Sequence, residues 1–522
     1  MRTLSPLMLG VALVAGLACA AEAPALKPGD VIFATDFEGT DGLKAARGRA
    51  GAVKLDKGYQ SDQALLAEVP ADAAARAAYI QIALPAERVR GAKLILSARV
   101  KAENVSAKPQ PWNGIKFMMP ITAPGGRTWP QAEIEVGTFD WRPVAWQAYV
   151  PDDATEMVLV LGLEQVTGRA WFDDVRITVR RPAAPVVPHA ASGPAYKGHS
   201  LPRLRGAMVS NDIDEDSLRV LGKEWNANLI RWQLIGWLGS GQGVDLAKFD
   251  DVLEAHLKKL DRALPVCEKY GIMVVVDLHS PPGGSAASNL FNDPACQKKF
   301  VESWQKMARR YKDAKAVWGY DLLNEPVESA YAEGCADWQE LAQRAAAAVR
   351  DIDRERTIIV EPAQGGGPEA MRELRPLSVP NVVYSVHMYM PHQFTHQGVF
   401  ENTKTPYVYP GQVEGRRWDK ARLEAALKPV VDFQEAYGVH VYVGEFSAIR
   451  WAPEGSAGRY IRDLIDIFES RGWDWSYHAF REWQGWSVEH GPDKADAAPS
   501  KDPTDRETLL REWFAKNARP KM

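Results

Sequence analysis

The chain has 522 residues, 46% of them hydrophobic and 25% charged, with a formal net charge of −4. Such a makeup excludes disordered and collagen-like chains, and the near-balanced charge argues against a nucleic-acid partner, whose phosphates call for a concentrated excess of Lys and Arg. Four cysteines exclude a disulfide-built scaffold, while 18 Trp in a near-neutral chain point toward flat ligand faces such as those of sugars.

Arg2 precedes an uncharged apolar run over 7–17, and Ala18-Cys19-Ala20 then fits a small-x-small cleavage pattern. Residues 1–20 therefore read as a bacterial-type signal peptide cut after Ala20, and the mature protein as secreted or periplasmic. The run is too short for a bilayer, which needs about 20 apolar residues, and no later stretch is long enough. No membrane span is expected. Acylation of Cys19 competes with this reading, but Gly16 stands where a larger aliphatic belongs. Cleavage leaves Cys267, Cys296 and Cys335, none at zinc-ligand spacing. They read as small buried hydrophobes, with room for one disulfide among them.

Residues 21–180 read as a first domain. Short strand-like runs at 93–100, 132–136, 157–163 and 175–179 are punctuated by Pro124-Gly125-Gly126 and Val166-Thr167-Gly168. Regular short strands without helical patterning predict an all-β sandwich. The Ala-rich stretch 71–78 reads as one helical turn or as a loop. Residues 181–203 carry Pro182, Pro185, Pro188, Pro194 and Pro202 and read as a linker.

From 204 to 522 apolar runs alternate with segments of helical period. The runs are 205–209, 229–233, 272–277, 317–322, 357–360, 382–387, 441–444 and 475–480. Between the second and third, Phe249, Val252, Leu253, His256, Leu257 and Leu260 make one face at helical spacing. Strands apolar throughout and separated by helices predict a parallel sheet covered on both faces. Eight such units in about 300 residues predict a (β/α)8 TIM barrel, an α/β fold. The rival is an open doubly wound sheet, but no Gly-rich phosphate turn follows the first strand.

In a barrel the chemistry lies where strands end. The second strand itself contributes Arg231, and the positions after the third and fourth hold His279 and Asn324-Glu325-Pro326. The sixth ends in His387-Met388-Tyr389, the seventh in Gly444-Glu445-Phe446, and the eighth among Trp475, His478, Arg481 and Trp483. Each residue alone has a structural explanation, since ion pairs also stabilise folds. Together they would face one mouth, which a stable barrel does not require. Two carboxylates across a cleft are what glycosidic cleavage needs: one gives a proton to the leaving oxygen, the other attacks or activates water.

This constellation resembles family 5 glycoside hydrolases, the clan A retaining enzymes of cellulase type, over the whole barrel. The resemblance rests on Arg231, His279, Asn324-Glu325-Pro326, His387-x-Tyr389 and Glu445, in this order along the chain. It implies Glu325 as general acid/base and Glu445 as nucleophile, with Arg231 orienting Glu445. Asn324 would bond the sugar 2-hydroxyl, Tyr389 sit beside the nucleophile, His387 near the acid/base, and His279 along the −1 subsite. Family members commonly place a stacking Trp at the eighth strand end, where this chain has His478. Trp483 is taken as the substitute platform, with Trp486 nearby. The long segment 390–418, with His392, Phe394, His396, Tyr407 and Tyr409, is expected to roof the cleft.

The sandwich, with Trp112, Trp129, Trp141, Trp146 and Trp171, resembles a jelly-roll carbohydrate-binding module, as do 33–38 and Ala170-Trp171-Phe172-Asp173-Asp174-Val175-Arg176-Ile177. Asp36, Glu38 and Asp173 read as a structural calcium site or as ordinary turn acids. The expected function is an exported retaining β-glycoside hydrolase acting by double displacement on a polysaccharide or oligosaccharide, β-1,4-glucan first, ahead of mannan, xylan and β-1,3-glucan. Neither metal nor organic cofactor is needed for that chemistry, and a monomer suffices. A transglycosylase using the same residues and a non-catalytic carbohydrate-binding protein are the alternatives.

Overall fold

The computed structural model describes residues 25–38, 46–73, 76–183, 194–236, 245–283, 289–328 and 331–522, and the side chains of 47–50 are left aside. The segment 1–20 expected to be a signal peptide, and with it Cys19, lies outside the described residues.

The first half forms two six-stranded sheets. One contains β1 (Val31–Thr35), β3 (Ala52–Asp56), β4 (Ala64–Val69), β6 (Lys93–Val105), β10 (Gly137–Tyr149) and β12 (Gly168–Arg181). The other contains β2 (Ala46–Ala50), β5 (Ala77–Leu84), β7 (Gly114–Met118), β8 (Ile121–Ala123), β9 (Gly126–Thr128) and β11 (Glu156–Glu164). All pairings are antiparallel. Alternate residues point inward, so Leu94, Leu96 and Phe172 of one sheet meet Ile80, Phe117 and Leu161 of the other in a single core. This is the expected sandwich. The predicted strand at 132–136 is not one: Ala132 and Ile134 are buried between exposed Glu133 and Glu135, yet beyond an isolated bridge from Gln131 to Met118 no ladder forms. The alternation was present and a partner edge was not. Residues 71–73 form a turn, and Asp173 accepts from Tyr59 N at 2.8 Å, Ser61 Oγ at 2.7 Å and Asp174 N at 2.7 Å.

The second half closes eight parallel strands into a barrel: β13 (Arg205–Val209), β14 (Leu229–Leu234), β15 (Met273–Leu278), β16 (Val317–Asp321), β17 (Thr357–Val360), β18 (Val382–Met388), β21 (Val441–Phe446) and β22 (Asp474–Tyr477). A hairpin of β19 (Gly411–Val413) and β20 (Arg416–Trp418) sits in the long segment after β18. The helices between strands are built on local signals. Helix Phe249–Tyr270 buries Phe249, Leu253, Leu257, Leu260 and Leu264 on one face and stops at Gly271, whose φ of 65° suits glycine. Asp293 caps Pro294–Tyr311, and Asp337 caps Trp338–Arg350. Inside the barrel Leu204, Leu229, Val275, Trp318, Ile359, Val383 and Tyr442 form a small apolar plug. It floors the site.

Residues 184–193 of the Pro-rich stretch lie outside the described residues, and 194–203 lie against the barrel base. There Lys197 O accepts from Trp318 Nε1 at 3.0 Å, and Asp474 Oδ2 lies 2.7 Å from both His199 Nε2 and His440 Nε2. Cys267, Cys296 and Cys335 are buried and free, so the disulfide for which the sequence left room is not formed.

Sandwich and barrel meet at the end of the barrel where its strands terminate. Lys93 is buried and pairs with Glu328 and, at 2.5 Å, with Glu373. Arg181 lies 3.3 Å from Asp337, and Tyr149 Oη donates to Arg372 O at 3.1 Å. The barrel partners belong to loops following β16 and β17. The first of these loops also carries Glu325.

Candidate active site

Period-two alternation decides what each barrel strand sends inward. On β14, Leu229 joins the apolar plug while Ile230 and Trp232 pack outward, so Arg231 lies inside. On β15 the same step puts Asp277 inside above Val275, and beyond β17 it puts Glu361 above Ile359. Arg231 is the hub of this upper layer. Its guanidinium lies 3.0 Å from Asp277, 2.9 Å from Asp321, 2.8 Å from Glu361 and 2.7 Å from Glu445. Burial works against its charge, but these four carboxylates overcome it and hold the pKa well above the ordinary value. Asp321 goes the other way: burial, with Glu361 and Asp277 nearby, lifts it well above the carboxylate range. Arg231 also donates to Asn324 Oδ1 at 3.2 Å. Since Arg has only donors, this fixes the Asn324 oxygen toward Arg231 and frees its amide N–H groups for the cleft.

Glu445 is buried at the end of β21. Oε1 accepts from Arg231 at 2.7 Å, and Oε2 accepts from Tyr389 Oη at 2.8 Å with His478 Nδ1 at 3.3 Å. Burial alone would raise its pKa; His387, His478 and Arg231 more than offset this and hold it well below the ordinary range. It is an anion. The same field raises His478 to about 10 and His387 well above its usual value, in both cases against the cost of burial. The register between β18 and β21 shifts at Gly444, where a Cβ would meet Ser385 Oγ at 2.7 Å and His387 Nε2 at 2.9 Å. Only glycine lets Glu445 and His387 come together here.

Glu325 follows β16 and is about one-third exposed, opposite Glu445. Its φ is 43°, uncommon for a residue with a Cβ, and its N–H donates to Glu361 Oε2 at 2.8 Å. His387 Nδ1 lies 2.9 Å from Glu325 Oε1 while its Nε2 lies 3.1 Å from Glu361. One carboxylate oxygen of Glu325, one of Glu445 and a His387 nitrogen all lie within 4.8 Å of one another. Two carboxyl groups about 5–5.5 Å apart suit direct attack on an anomeric carbon, whereas separations of about 6.5–9.5 Å leave room for a water.

The pair opens into a cleft of about 1210 Å³. Residues 190–482 match Cellulase (glycosyl hydrolase family 5). The chain belongs to that family. Endoglucanase C of Acetivibrio thermocellus is 30% identical over 255 residues, covering 43% of this chain and 73% of that protein. Cellodextrinase A of Ruminococcus flavefaciens is 27% identical over 240 residues, covering 44% and 70%. Among solved structures, Thermotoga maritima Cel5A in complex with cellobiose aligns at 22% identity over 60% of this chain and 96% of that one, with a TM-score of 0.47. This family 5 member is thus a β-glycoside hydrolase on an eight-stranded barrel.

Within the family 5 barrel, Arg231, Asn324, Glu325, His387, Tyr389 and Glu445 come together as expected. His279 lines the same cleft with Nδ1 at 2.8 Å from Asp277. Trp483 lines it too, exposed and edge-on to Trp451 and Trp486. Trp475 is fully buried in the outer core. The position at the eighth strand end is taken by His478, which touches Tyr389, lies beside Glu445, and tilts against Trp486 at 5.7 Å. Of the 390–418 segment, Met390, His392, His396, Val399 and Phe400 line the cleft, while Phe394 and Tyr409 are buried in the core beneath. Sequence reasoning missed Glu361, Asp321 and Glu482. Glu361 carried a signal, because Val360-Glu361-Pro362 ends an apolar run with a carboxylate, as Asn324-Glu325-Pro326 does. Glu482 lies 3.2 Å from His478 Nε2 and carried none. Among the described residues no helix is long and apolar enough to cross a membrane.

Proposed function

We propose that the protein is an exported retaining endoglucanase that cleaves β-1,4-glucan by double displacement. The observation that carries the reading is the approach of Glu325 and Glu445 to within 4.8 Å, with Glu445 held as an anion by Arg231, Tyr389 and His478. The Glu445 carboxylate attacks the anomeric carbon as the glycosidic C–O bond breaks, and Glu325 gives its proton to the leaving oxygen. Water then attacks the glycosyl ester, its proton passes to Glu325, and Glu445 is released with retention. Asn324 offers its amide to the sugar 2-hydroxyl, His279 lines the −1 subsite, and Trp483 supplies an apolar platform. The endoglucanase names of the relatives support glucan as substrate. The signal-like segment 1–20 supports export. Residues 21–180 are assigned as a carbohydrate-binding-module-like domain, 181–203 as the connector and 204–522 as the catalytic barrel.

The test is a reducing-sugar screen over β-glucans, mannan and xylan, with product anomer followed by NMR. The β-1,4-glucan is expected to be cut with the β-anomer released first. Glu325→Ala and Glu445→Ala should each lower turnover on an unactivated glucan by about 10²–10⁴-fold or more while sugar binding persists. Near-normal turnover in either variant, or release of the α-anomer, refutes the assignment.

A further inference from the structure

Seven large apolar side chains stand exposed among the described residues, and five of them gather along one path. Met390, Phe400 and Trp483 line the catalytic cleft; Trp112 and Trp129, at 60% and 61% exposure, border a second groove of about 950 Å³ on the sandwich. Its floor is the outer face of β5, β7 and β11. Ile80, Phe117 and Leu161 face the core, so Gln81, Lys116 and Val160 face out. The floor is ordered: Lys116 lies 2.7 Å from Glu164 and donates to Gln131 Oε1 at 3.0 Å. It offers hydrogen-bonding groups with little net charge, between two indoles.

The groove does not end at the sandwich. Segment 127–131 sends Thr128 and Pro130 toward the catalytic cleft and Arg127 and Trp129 toward the groove, while Gln131 lines both. Trp146 and Tyr149 of β10 also line the catalytic cleft. The sandwich is therefore a wall of the catalytic cleft as well as the floor of its extension. We infer that cleft and groove form one continuous path for a β-linked glucan, with Trp112 and Trp129 as stacking platforms for pyranose rings beyond Gln131. Rings with all-equatorial hydroxyls present apolar C–H faces to an indole and hydroxyl edges to groups such as Gln81 and Gln131. The inference rests on the glucanase reading above, because the ligand is the same polymer.

The test uses the full chain with Trp112→Ala/Trp129→Ala and, as a variant that keeps aromatic faces, Trp112→Phe/Trp129→Phe. Three readouts are compared: kinetics on a chromogenic cellobioside, kinetics on soluble polymeric β-1,4-glucan, and retardation in native gels containing that polymer. The alanine variant should keep cellobioside kcat/KM within about twofold, since Trp112 and Trp129 border the groove and do not line the catalytic cleft. On polymer its KM should rise about tenfold or more, with retardation lost, and the phenylalanine variant should recover part of both. Unchanged polymer KM and retardation, or equal losses on both substrates, overturn the inference. Should the parent cut no β-glucan yet be retarded by one through Trp112 and Trp129, the glucanase reading fails and the groove stands.

Discussion

Lys93→Met tests how the sandwich is held to the barrel. The Lys93 side chain is 2% exposed and pairs with Glu328 and Glu373, whose side chains are 1% and 9% exposed. Glu373 and Asp337 retain Arg181 at 3.4 and 3.3 Å after the substitution, but Glu328 has no other charged partner within ion-pair reach among the described residues. Methionine keeps the stem's packing and removes the ammonium, leaving one fully buried carboxylate uncompensated, for which about 3–5 kcal/mol is the expected cost. The sign of its pH dependence follows from Glu328, which burial pushes up to about 7 even beside Lys93. A raised carboxylate is tolerated in its neutral form below about pH 4.5 and weighs on the fold as pH rises through 7. Without Lys93 the pKa climbs further, so the penalty should be near its full value at pH 8 and under about half of it at pH 5. Separating sandwich from barrel returns Glu328 to water, so the loss should fall on the interface before either core. Urea unfolding followed by Trp fluorescence at both pH values, with small-angle scattering for separation, reads the effect. A penalty under about 1 kcal/mol at pH 8, or one equal at pH 5 and 8, refutes the reasoning.

Tyr389→Phe removes the hydroxyl that donates to Glu445 and meets His478. It should lower kcat about 10–100-fold with Tm nearly unchanged, measured by steady-state kinetics and calorimetry. An unchanged kcat would show that the hydroxyl does not steer the carboxylate. Asp474→Asn weakens charge-assisted bonds to His199, His440 and Leu204 N, and should cost about 1.5–3 kcal/mol at pH 7. Partner hydrogen bonds overcome burial and lower the Asp474 pKa, so its contribution is present above about pH 4 and lost as pH falls. Parent and variant unfolding curves should therefore converge toward pH 2. A constant gap across that range would refute the assignment.

Much of the catalytic layer could be read because it is written in local periods. A strand that puts Leu229 into the plug must put Arg231 one step above it, and Val383 in turn dictates Ser385 and His387. Glu445 follows less directly, since the register shift at Gly444 breaks the simple alternation. What local pattern hides is convergence over long separations. Lys93 and Glu328 stand 235 residues apart, and nothing in either neighbourhood announces the other. The segment 132–136 failed for the opposite reason, because its alternation satisfied the sandwich core without any strand to pair with. His478 was visible at its spacing, but a role beside a carboxylate depends on which rings and acids arrive from β18, β21 and the loop of Glu482.

A ring of eight repeating units has one joint that the polypeptide itself never crosses, where the last strand meets the first. Here that joint has three paired residues, Arg205 with Trp475, Gly206 with Ser476 and Ala207 with Tyr477. Asp474 sits at its lower end, accepting from Leu204 N at 2.7 Å and gripping His199 of the incoming chain. Closure of the ring thus depends on the stretch leading into it being laid down as well, so trimming a recombinant barrel to its first strand would remove half of the clasp that keeps the circle shut.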